Sequence, residues 1–167
     1  MIDLSTAPTS PFEPTPQHAR LARLAGAFRG TSSTWLDPQK PAEQTPIEAA
    51  IESVLGGRFL RITYTSTVSG KPHAGEMLFA YEKEERRHTM AWIDSFHSGG
   101  GILLSVGEAS PPEDGPVSVL THYGPPDQRW GWRTALHLDA ERPLLEAFNI
   151  TPDGTSHPAL RIELARA

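Results

Sequence analysis

Residues 87–94 of this chain, Arg-His-Thr-Met-Ala-Trp-Ile-Asp, carry the pattern that decides the fold. Met90, Trp92 and Asp94 are spaced two residues apart, so a β-strand would present all three side chains on one face. Two large apolar side chains followed by a carboxylate predict a strand that buries one face and ends at a polar site. The stretch Phe96–Gly101 follows closely and, with three consecutive glycines, predicts a loop at that end of the strand.

The same two-residue alternation recurs in nearly every segment after residue 25, between turns rich in Gly, Pro, Asp and Ser. No long helical segment separates the strands, although parallel pairing would require one. We therefore predict an all-β fold, a single antiparallel up-and-down barrel of about ten strands, with a two-sheet sandwich as the alternative. The predicted strands are Phe28–Leu36, Pro46–Leu55, Phe59–Val68, Glu76–Tyr81, Arg87–Asp94, Ile102–Glu108, Pro116–Tyr123, Arg129–Asp139, Leu144–Thr151 and Pro158–Ala165.

The N-terminal part of the chain differs in composition from the rest. Residues 1–16 contain four prolines among Ser and Thr, which predicts a flexible arm, and residues 17–167 then form one barrel domain. A short helix is expected over Gln17–Leu24, because Leu21 and Leu24 would share one face. A helix of this length needs the sheet to pack against.

Composition excludes several classes of protein. The chain has 167 residues, no cysteine and a formal net charge of -5, which indicates one domain without disulfides and no basic surface for nucleic acid. No apolar run approaches the roughly 20 residues that span a membrane, and the N-terminus shows no secretory pattern. We therefore expect a soluble, cytoplasmic protein.

Several motifs together resemble a known family. The stretch Gly26-Ala-Phe-Arg-Gly30 is similar to the Gly-x-Trp-x-Gly opening of lipocalin-like barrels, with Phe in place of Trp. Together with five later motifs, taken in their order along the chain, it resembles the bacterial proteins catalogued as domain-of-unknown-function family 1579, over roughly residues 18–166. This resemblance implies a calycin-like β-barrel that opens with a short helix, and it implies no activity. The motifs that follow the opening are Leu55–Leu60, Gly75–Tyr81, Trp92–Ser95, Pro152–Gly154 and Leu160–Leu164.

The apolar and aromatic residues of the strands suggest a function. In a small barrel such side chains either fill a solid core or line a pocket for a ligand. The function we favour is binding of a small apolar or amphipathic ligand in the barrel interior, and a solid-core module that acts in protein interaction is an alternative. The predicted ligand-binding residues are Tyr64, Phe79, Met90, Trp92, Asp94, Trp132 and Phe148.

Asp94 is the polar residue of this set, and a buried carboxylate is costly unless it is hydrogen-bonded. Its donors could be Arg61, Arg133, a Tyr or Trp side chain, or the amides of the following loop. Asp94 would then either cap that loop or anchor a ligand. A further alternative is an enzyme in which Asp94 works with a histidine, such as His122 or His88, as acid and base. No complete catalytic motif is present.

The seven histidines lack the short spacings of zinc sites, so no metal and no cofactor is predicted from their pattern. His157 opens the last predicted strand, at a position that resembles the haem-ligating histidine of nitrobindins, another small barrel family. Because the surrounding residues match poorly, haem is kept as a minor alternative.

Overall fold

The computed structural model describes residues 12–167 as one short helix and ten antiparallel strands closed into a barrel. Strands follow one another in chain order, and β1 pairs with β10 to close the sheet, which confirms the predicted fold class. Closure pairs both edges of the sheet. The elements are α1 Pro16–Ala22, β1 Gly26–Thr34, β2 Glu43–Val54, β3 Phe59–Val68, β4 Lys71–Glu82, β5 Arg87–Asp94, β6 Leu103–Val106, β7 Val117–Tyr123, β8 Trp130–His137, β9 Leu144–Ile150 and β10 Ser156–Arg166.

The two ends of the barrel differ. One end carries α1 and the turns that follow β2, β4, β6 and β8, and we call it the helix end. The opposite end, which we call the loop end, carries the connections after the odd-numbered strands. Asp94 is the last residue of β5 and therefore lies at the loop end. The loop-end connections are residues 35–42, 69–70, 95–102, 124–129 and 151–155.

The helix end is closed by apolar packing. Leu21 and Leu24 are buried against Phe28, which begins the inward-facing series of β1. Two residues on, Gly30 brings β1 close to β10, since any side chain there would overlap the backbone carbonyl of Glu163. The Gly-x-Phe-x-Gly stretch therefore provides both a plug and a close strand contact.

The middle of the barrel is filled with side chains. Tyr64, Phe79, Met90 and Trp92 are each at most 4% exposed. An apolar cavity inside the barrel, lined among others by Tyr64, Met77 and Leu145, holds about 20 Å³, roughly the space of one water molecule. Binding sites for small organic molecules usually measure several hundred Å³. This cavity is therefore too small for such a ligand.

Strand boundaries depart from the sequence predictions in a few places. Strand β4 begins at Lys71, five residues before the predicted start, so Pro72 lies inside a strand instead of a turn. Pro72 pairs with Thr67 in the first rungs of the ladder, where a missing N–H is tolerated. Strand β6 is shorter than predicted, and β3 and β5 have the predicted limits.

Most of the predicted N-terminal arm lies outside the described residues. Of its last members, Phe12 packs edge-on against His18 and under the guanidinium of Arg58, 4.2 Å from the ring centroid. Pro16 already belongs to α1. Within the described part of the chain, no helix has the length and apolar character needed to cross a membrane.

Candidate binding site

Strand β5 delivers a carboxylate to the loop end of the barrel. Its alternation buries Met90 and Trp92 in the interior, and Asp94 follows on the same face. The Asp94 side chain has no exposed surface. A fully buried carboxylate requires hydrogen-bond donors for both oxygens, and the Asp94 carboxylate has six such donors.

One oxygen organises the loop that follows β5. Oδ1 of Asp94 accepts hydrogen bonds from the backbone N–H groups of Phe96 (3.1 Å), Ser98 (2.9 Å) and His97. The Ser98 hydroxyl accepts from the Asp94 amide and donates to the Asp94 carbonyl. This ring of bonds fixes the first turn of the 95–102 loop and brings His97 back over the barrel end.

The other oxygen is the centre of a side-chain cluster, which we call the Asp94 cluster: Tyr64, His73, Asp94 and His97. Oδ2 lies 2.6 Å from Nδ1 of His97 and 2.9 Å from Nε2 of His73, and it accepts from the Tyr64 hydroxyl at 3.2 Å. His73 comes from the start of β4, two residues before Gly75, which is the ladder partner of Asp94. The three residues that surround Asp94 thus come from three different parts of the chain.

The charge of Asp94 is well compensated. Burial alone would raise the pKa of its carboxyl, but hydrogen bonds from His97 and His73 outweigh burial and hold that pKa below its usual range. Burial, together with the negative charge of Asp94, raises the pKa of the Tyr64 hydroxyl well above its ordinary value. The site therefore contains an ionised carboxylate and a protonated phenol.

An ionised carboxylate only accepts hydrogen bonds, so each histidine must direct an N–H at it. Nε2 of His73 and Nδ1 of His97 then carry hydrogen, and the second nitrogen of each ring is free to accept. Nδ1 of His73 is buried without a partner. Among the described residues, no hydrogen bond uses Nε2 of His97, whose side chain is 11% exposed.

Aromatic rings form the wall around the cluster. The Trp92 indole donates to the Tyr64 hydroxyl at 2.9 Å, and this hydroxyl in turn donates to Asp94. The His97 ring packs against two indoles, with its centroid 5.1 Å from that of Trp92 and 5.6 Å from that of Trp132. The imidazole thus packs against a pair of indoles whose own centroids lie 5.5 Å apart.

The structure places most of the predicted ligand-binding residues on the interior face. Tyr64, Trp92, Asp94 and Trp132 meet at the loop end, whereas Phe79 and Met90 belong to the filled core. The prediction for Phe148 is wrong. It pairs with Arg133 on the outer face of β8–β9, with the guanidinium 4.7 Å from its ring centroid, because Leu145 and Ala147 take the inward positions of β9.

Of the donors suggested for Asp94, a Tyr side chain and the loop amides are confirmed, whereas the two arginines and the two histidines named as examples lie elsewhere. Arg61 pairs with Glu52 outside the barrel, and Arg133 lies over Phe148. His122 is exposed, and His88 lies six residues back along β5, near the helix end. The sequence analysis missed His73 and His97. The three-residue spacing of His97 from Asp94 was visible, but its meaning depends on the loop turning back.

His157 lies at the loop end opposite Asn149, on the side of the sheet that faces the barrel opening. It is half-buried, and Asn149 accepts a hydrogen bond from the Tyr123 hydroxyl at 2.7 Å. The haem alternative at His157 stays a prediction.

Comparisons with known proteins agree with the fold. The family model described as "Protein of unknown function (DUF1579)" matches residues 13–166. Among solved structures, Rv2717c from M. tuberculosis aligns with 93% of this chain and 99% of its own, at 16% identity and a TM-score of 0.64. At that identity the likeness shows the fold alone.

A second structure, a protein of unknown function from the DUF3598 family of Nostoc punctiforme, covers 92% of this chain and 100% of its own length. It is 9% identical with a TM-score of 0.26, which is too low to support an argument. No curated protein matches this chain.

Proposed function

Since this chain belongs to the DUF1579 family, whose description assigns no function, we propose from its own geometry that the protein binds a small amphipathic ligand at the loop end of the barrel. The observation that carries the proposal is the Asp94 cluster beside the Trp92 and Trp132 indoles. The two indoles form an apolar wall, and the buried carboxylate holds polar groups in fixed orientations through its hydrogen bonds. Small-molecule binding sites usually combine these two features.

The filled interior directs the ligand to the loop end. The His97 ring packs against the two indoles, and it is carried by a loop that contains Gly99, Gly100 and Gly101. A side chain added at Gly99 or Gly100 would meet no atom within 4 Å, so this part of the loop is loosely packed. Movement of this loop would shift the His97 ring and expose the Trp92 and Trp132 indoles to an apolar group of the ligand.

The polar part of the ligand is expected to face His97 and not the carboxylate. Asp94 already accepts six hydrogen bonds, whereas Nε2 of His97 has no partner within residues 12–167. Exposed aromatic side chains continue the apolar surface outward at this end: Phe96 (47%), Tyr123 (39%) and Trp130 (36%). These features favour a ligand with an aromatic or aliphatic body and one polar head.

The proposal is tested with 1-anilinonaphthalene-8-sulfonate, a fluorescent probe with a planar apolar body and a polar head. The wild-type protein should bind the probe saturably, and Trp132→Ala should weaken binding by about tenfold, equivalent to about 1.4 kcal/mol. Phe148→Ala is the matched control, because Phe148 is an aromatic residue on the outer face. Equal binding by the wild type and Trp132→Ala, or stronger loss in Phe148→Ala, would contradict the loop-end site.

A second candidate function is acid–base catalysis in the same place. It is favoured by one observation: Asp94 orients His97 through Nδ1 at 2.6 Å and leaves Nε2 free, the arrangement of a histidine base held by a carboxylate. Within the described residues, no hydroxyl bonds to Nε2, so the group it would activate is a water or the ligand itself. A His97→Gln variant that retains full turnover of any identified substrate would exclude this role.

The expectations of a cytoplasmic location and of a solid-core module acting through its surface stay predictions. A pull-down with the full-length protein and with a Trp132→Ala variant separates the second from ligand binding. A partner retained equally by both would support an interaction surface away from the loop end.

A further inference from the structure

We infer that the ligand site contains a binding position for a divalent transition-metal ion, held by Nε2 of His73, Oδ2 of Asp94 and Nδ1 of His97. Such an ion would bind the polar head of the ligand, so the inference deepens the proposed function and rests on the same cluster. The three ligand atoms lie within 4.8 Å of one another, and both imidazole nitrogens are directed at the Asp94 oxygen.

The chemistry of these donors suits a first-row metal. Two imidazole nitrogens and one carboxylate oxygen form a set typical of zinc, cobalt or iron in the divalent state. The side chains are almost fully buried, with exposures of 3% for His73, 0% for Asp94 and 11% for His97. A buried carboxylate beside two imidazole nitrogens favours a dication, because the charges of the ion and the carboxylate attract strongly at short range.

Each histidine has a second ring nitrogen that can carry the proton when the metal binds. In the metal-free form, the N–H groups of both histidines point to Asp94. Binding requires the His73 proton to move from Nε2 to Nδ1 and the His97 proton to move from Nδ1 to Nε2. Neither receiving nitrogen has a hydrogen-bond partner in the described part of the chain, so no protein hydrogen bond at these atoms is lost.

The geometry also shows which residue would adjust. The donor atoms lie 2.6 Å and 2.9 Å from Asp94 Oδ2, whereas metal bonds of about 2.1 Å at tetrahedral angles place neighbouring ligands about 3.4 Å apart. The cluster must therefore widen by several tenths of an ångström. His73 and Asp94 sit on paired strands, so the change falls on His97 and its glycine-rich loop.

Three protein ligands leave a coordination position open. Structural metal sites are usually closed by four protein ligands, and sites that bind an exogenous group keep one position free. Tyr64 stays protonated and its hydroxyl donates a hydrogen bond to Asp94, while the Trp92 indole donates to that hydroxyl. The open position would be taken by water or by the polar head of the ligand beside Trp92 and Trp132.

The test uses full-length protein that has been dialysed against a chelator and then titrated with ZnCl₂ by calorimetry. We expect saturable binding of one ion per chain, and Co²⁺ should give the intense visible absorption of a tetrahedral site. His73→Ala and His97→Ala should each weaken Zn²⁺ binding by more than about a hundredfold, since even outer-shell changes cost up to that much. His97→Gln is a second variant at position 97, chosen to keep the fold while removing the ligand nitrogen.

His137→Ala is the matched control. His137 forms the other described histidine–carboxylate pair, with Glu146 at 3.1 Å, but it is exposed and has no third ligand. Its loss should leave Zn²⁺ affinity unchanged. The inference is overturned if the folded wild type shows no saturable Zn²⁺ binding, or if the His73 and His97 variants bind as the wild type does.

The failure of this inference can be told from the failure of the proposed function. The organic probe is titrated once with excess chelator and once with saturating Zn²⁺. If the probe binds under chelator at the loop end and Zn²⁺ does not bind, the metal inference is wrong and the proposed function stands. If Zn²⁺ binds in the cluster and no organic probe binds in either condition, the proposed function is wrong and the metal site stands.

Discussion

At the scale of single residues, the two oxygens of the Asp94 carboxylate have separate roles. Oδ1 accepts only backbone amides and shapes the 95–102 loop, whereas Oδ2 accepts only side chains and gathers the cluster. Because one side chain does both, loop conformation and cluster geometry are coupled. A change that loosens the loop therefore also displaces His97 from the indoles.

Replacing Asp94 with Asn should be costly. The amide retains the shape, but its NH₂ group would face N–H donors, and the compensating charge would be lost. We expect Asp94→Asn to lower the free energy of unfolding by about 3 kcal/mol, measured by urea denaturation. Asp139→Asn is the control, since Asp139 also accepts two loop amides but is exposed, and about 1 kcal/mol or less is expected there. Equal costs for the two variants would contradict the special role of the buried cluster.

Gly75 provides the space for this cluster. It lies opposite Asp94 on β4, and a Cβ there would overlap the Tyr64 hydroxyl and crowd Asp94. Gly75→Ala should therefore push Tyr64 out of its bonds and cost about 1–3 kcal/mol of stability. Gly101→Ala meets only ordinary contacts, so it should stay within about 0.5 kcal/mol of the wild type. If Gly75→Ala is as stable as the wild type, the packing described at Tyr64 is wrong.

His88 should make stability depend on pH at the other end of β5. Burial, then the nearby charges of Arg20 and His18, lower the pKa of His88 from 6.5 to about 4, and its Nε2 has no partner beside Tyr81. Between about pH 6.5 and pH 4 the unfolded chain binds a proton that the folded protein does not. The free energy of unfolding should fall as the pH falls through this window, by about 3 kcal/mol in total.

The His88→Leu variant should show a flatter profile over the same pH range in urea melts. A residual slope is expected from His18, whose pKa burial also lowers. His137→Leu, at an exposed position, should keep the slope of the wild type. A wild-type profile that is level between pH 6.5 and pH 4 would refute the buried, neutral state of His88.

At the scale of elements, strand periodicity was sufficient to place the face of β5 but not its partners. Trp92 and Asp94 could be predicted to point inward because their spacing is local. The approach of His73 depends on the register of β4 against β5, and that of His97 on a loop held by Asp94 itself. His73 is distant from Asp94 in the sequence, and His97 lies in a loop without periodicity. The spacing of residues in the sequence therefore predicts neither contact.

Strand β9 shows where the periodicity argument failed. Its alternation allowed either face to be apolar, and the large Phe148 ring was assigned inward. The structure places the smaller Leu145 and Ala147 inside and leaves Phe148 outside under Arg133, and Leu145 packs there among the apolar side chains of the core. Side-chain volume across the barrel decided the face, and volume is not visible in a single strand.

Two truncations test these face assignments together. Trp92→Ala removes an interior side chain and should lower the free energy of unfolding by about 3–5 kcal/mol. Phe148→Ala removes a half-buried outer side chain and should cost about 1 kcal/mol. The two melts should be compared at the same pH. A larger loss for Phe148→Ala than for Trp92→Ala would reverse the assignment of faces.

At the scale of the whole molecule, the apolar core and the polar cluster occupy different parts of the barrel. The helix end and the centre are packed with apolar side chains and leave about 20 Å³ of space, while the polar and titratable cluster lies at the loop end. Closure and strand count followed from the sequence, since turns and alternation are local properties. Whether the centre is hollow or filled depends on packing across the barrel, and only the structure shows that it is filled.

The measurement that tests the central claim most directly is a ¹H–¹⁵N correlation spectrum recorded while 1-anilinonaphthalene-8-sulfonate is added. The indole N–H signals of Trp92 and Trp132 and the amides of residues 95–102 should shift together, while the amides of α1 at the helix end stay in place. Saturable binding of the probe that shifts α1 and leaves both indole signals unchanged would contradict a loop-end ligand site.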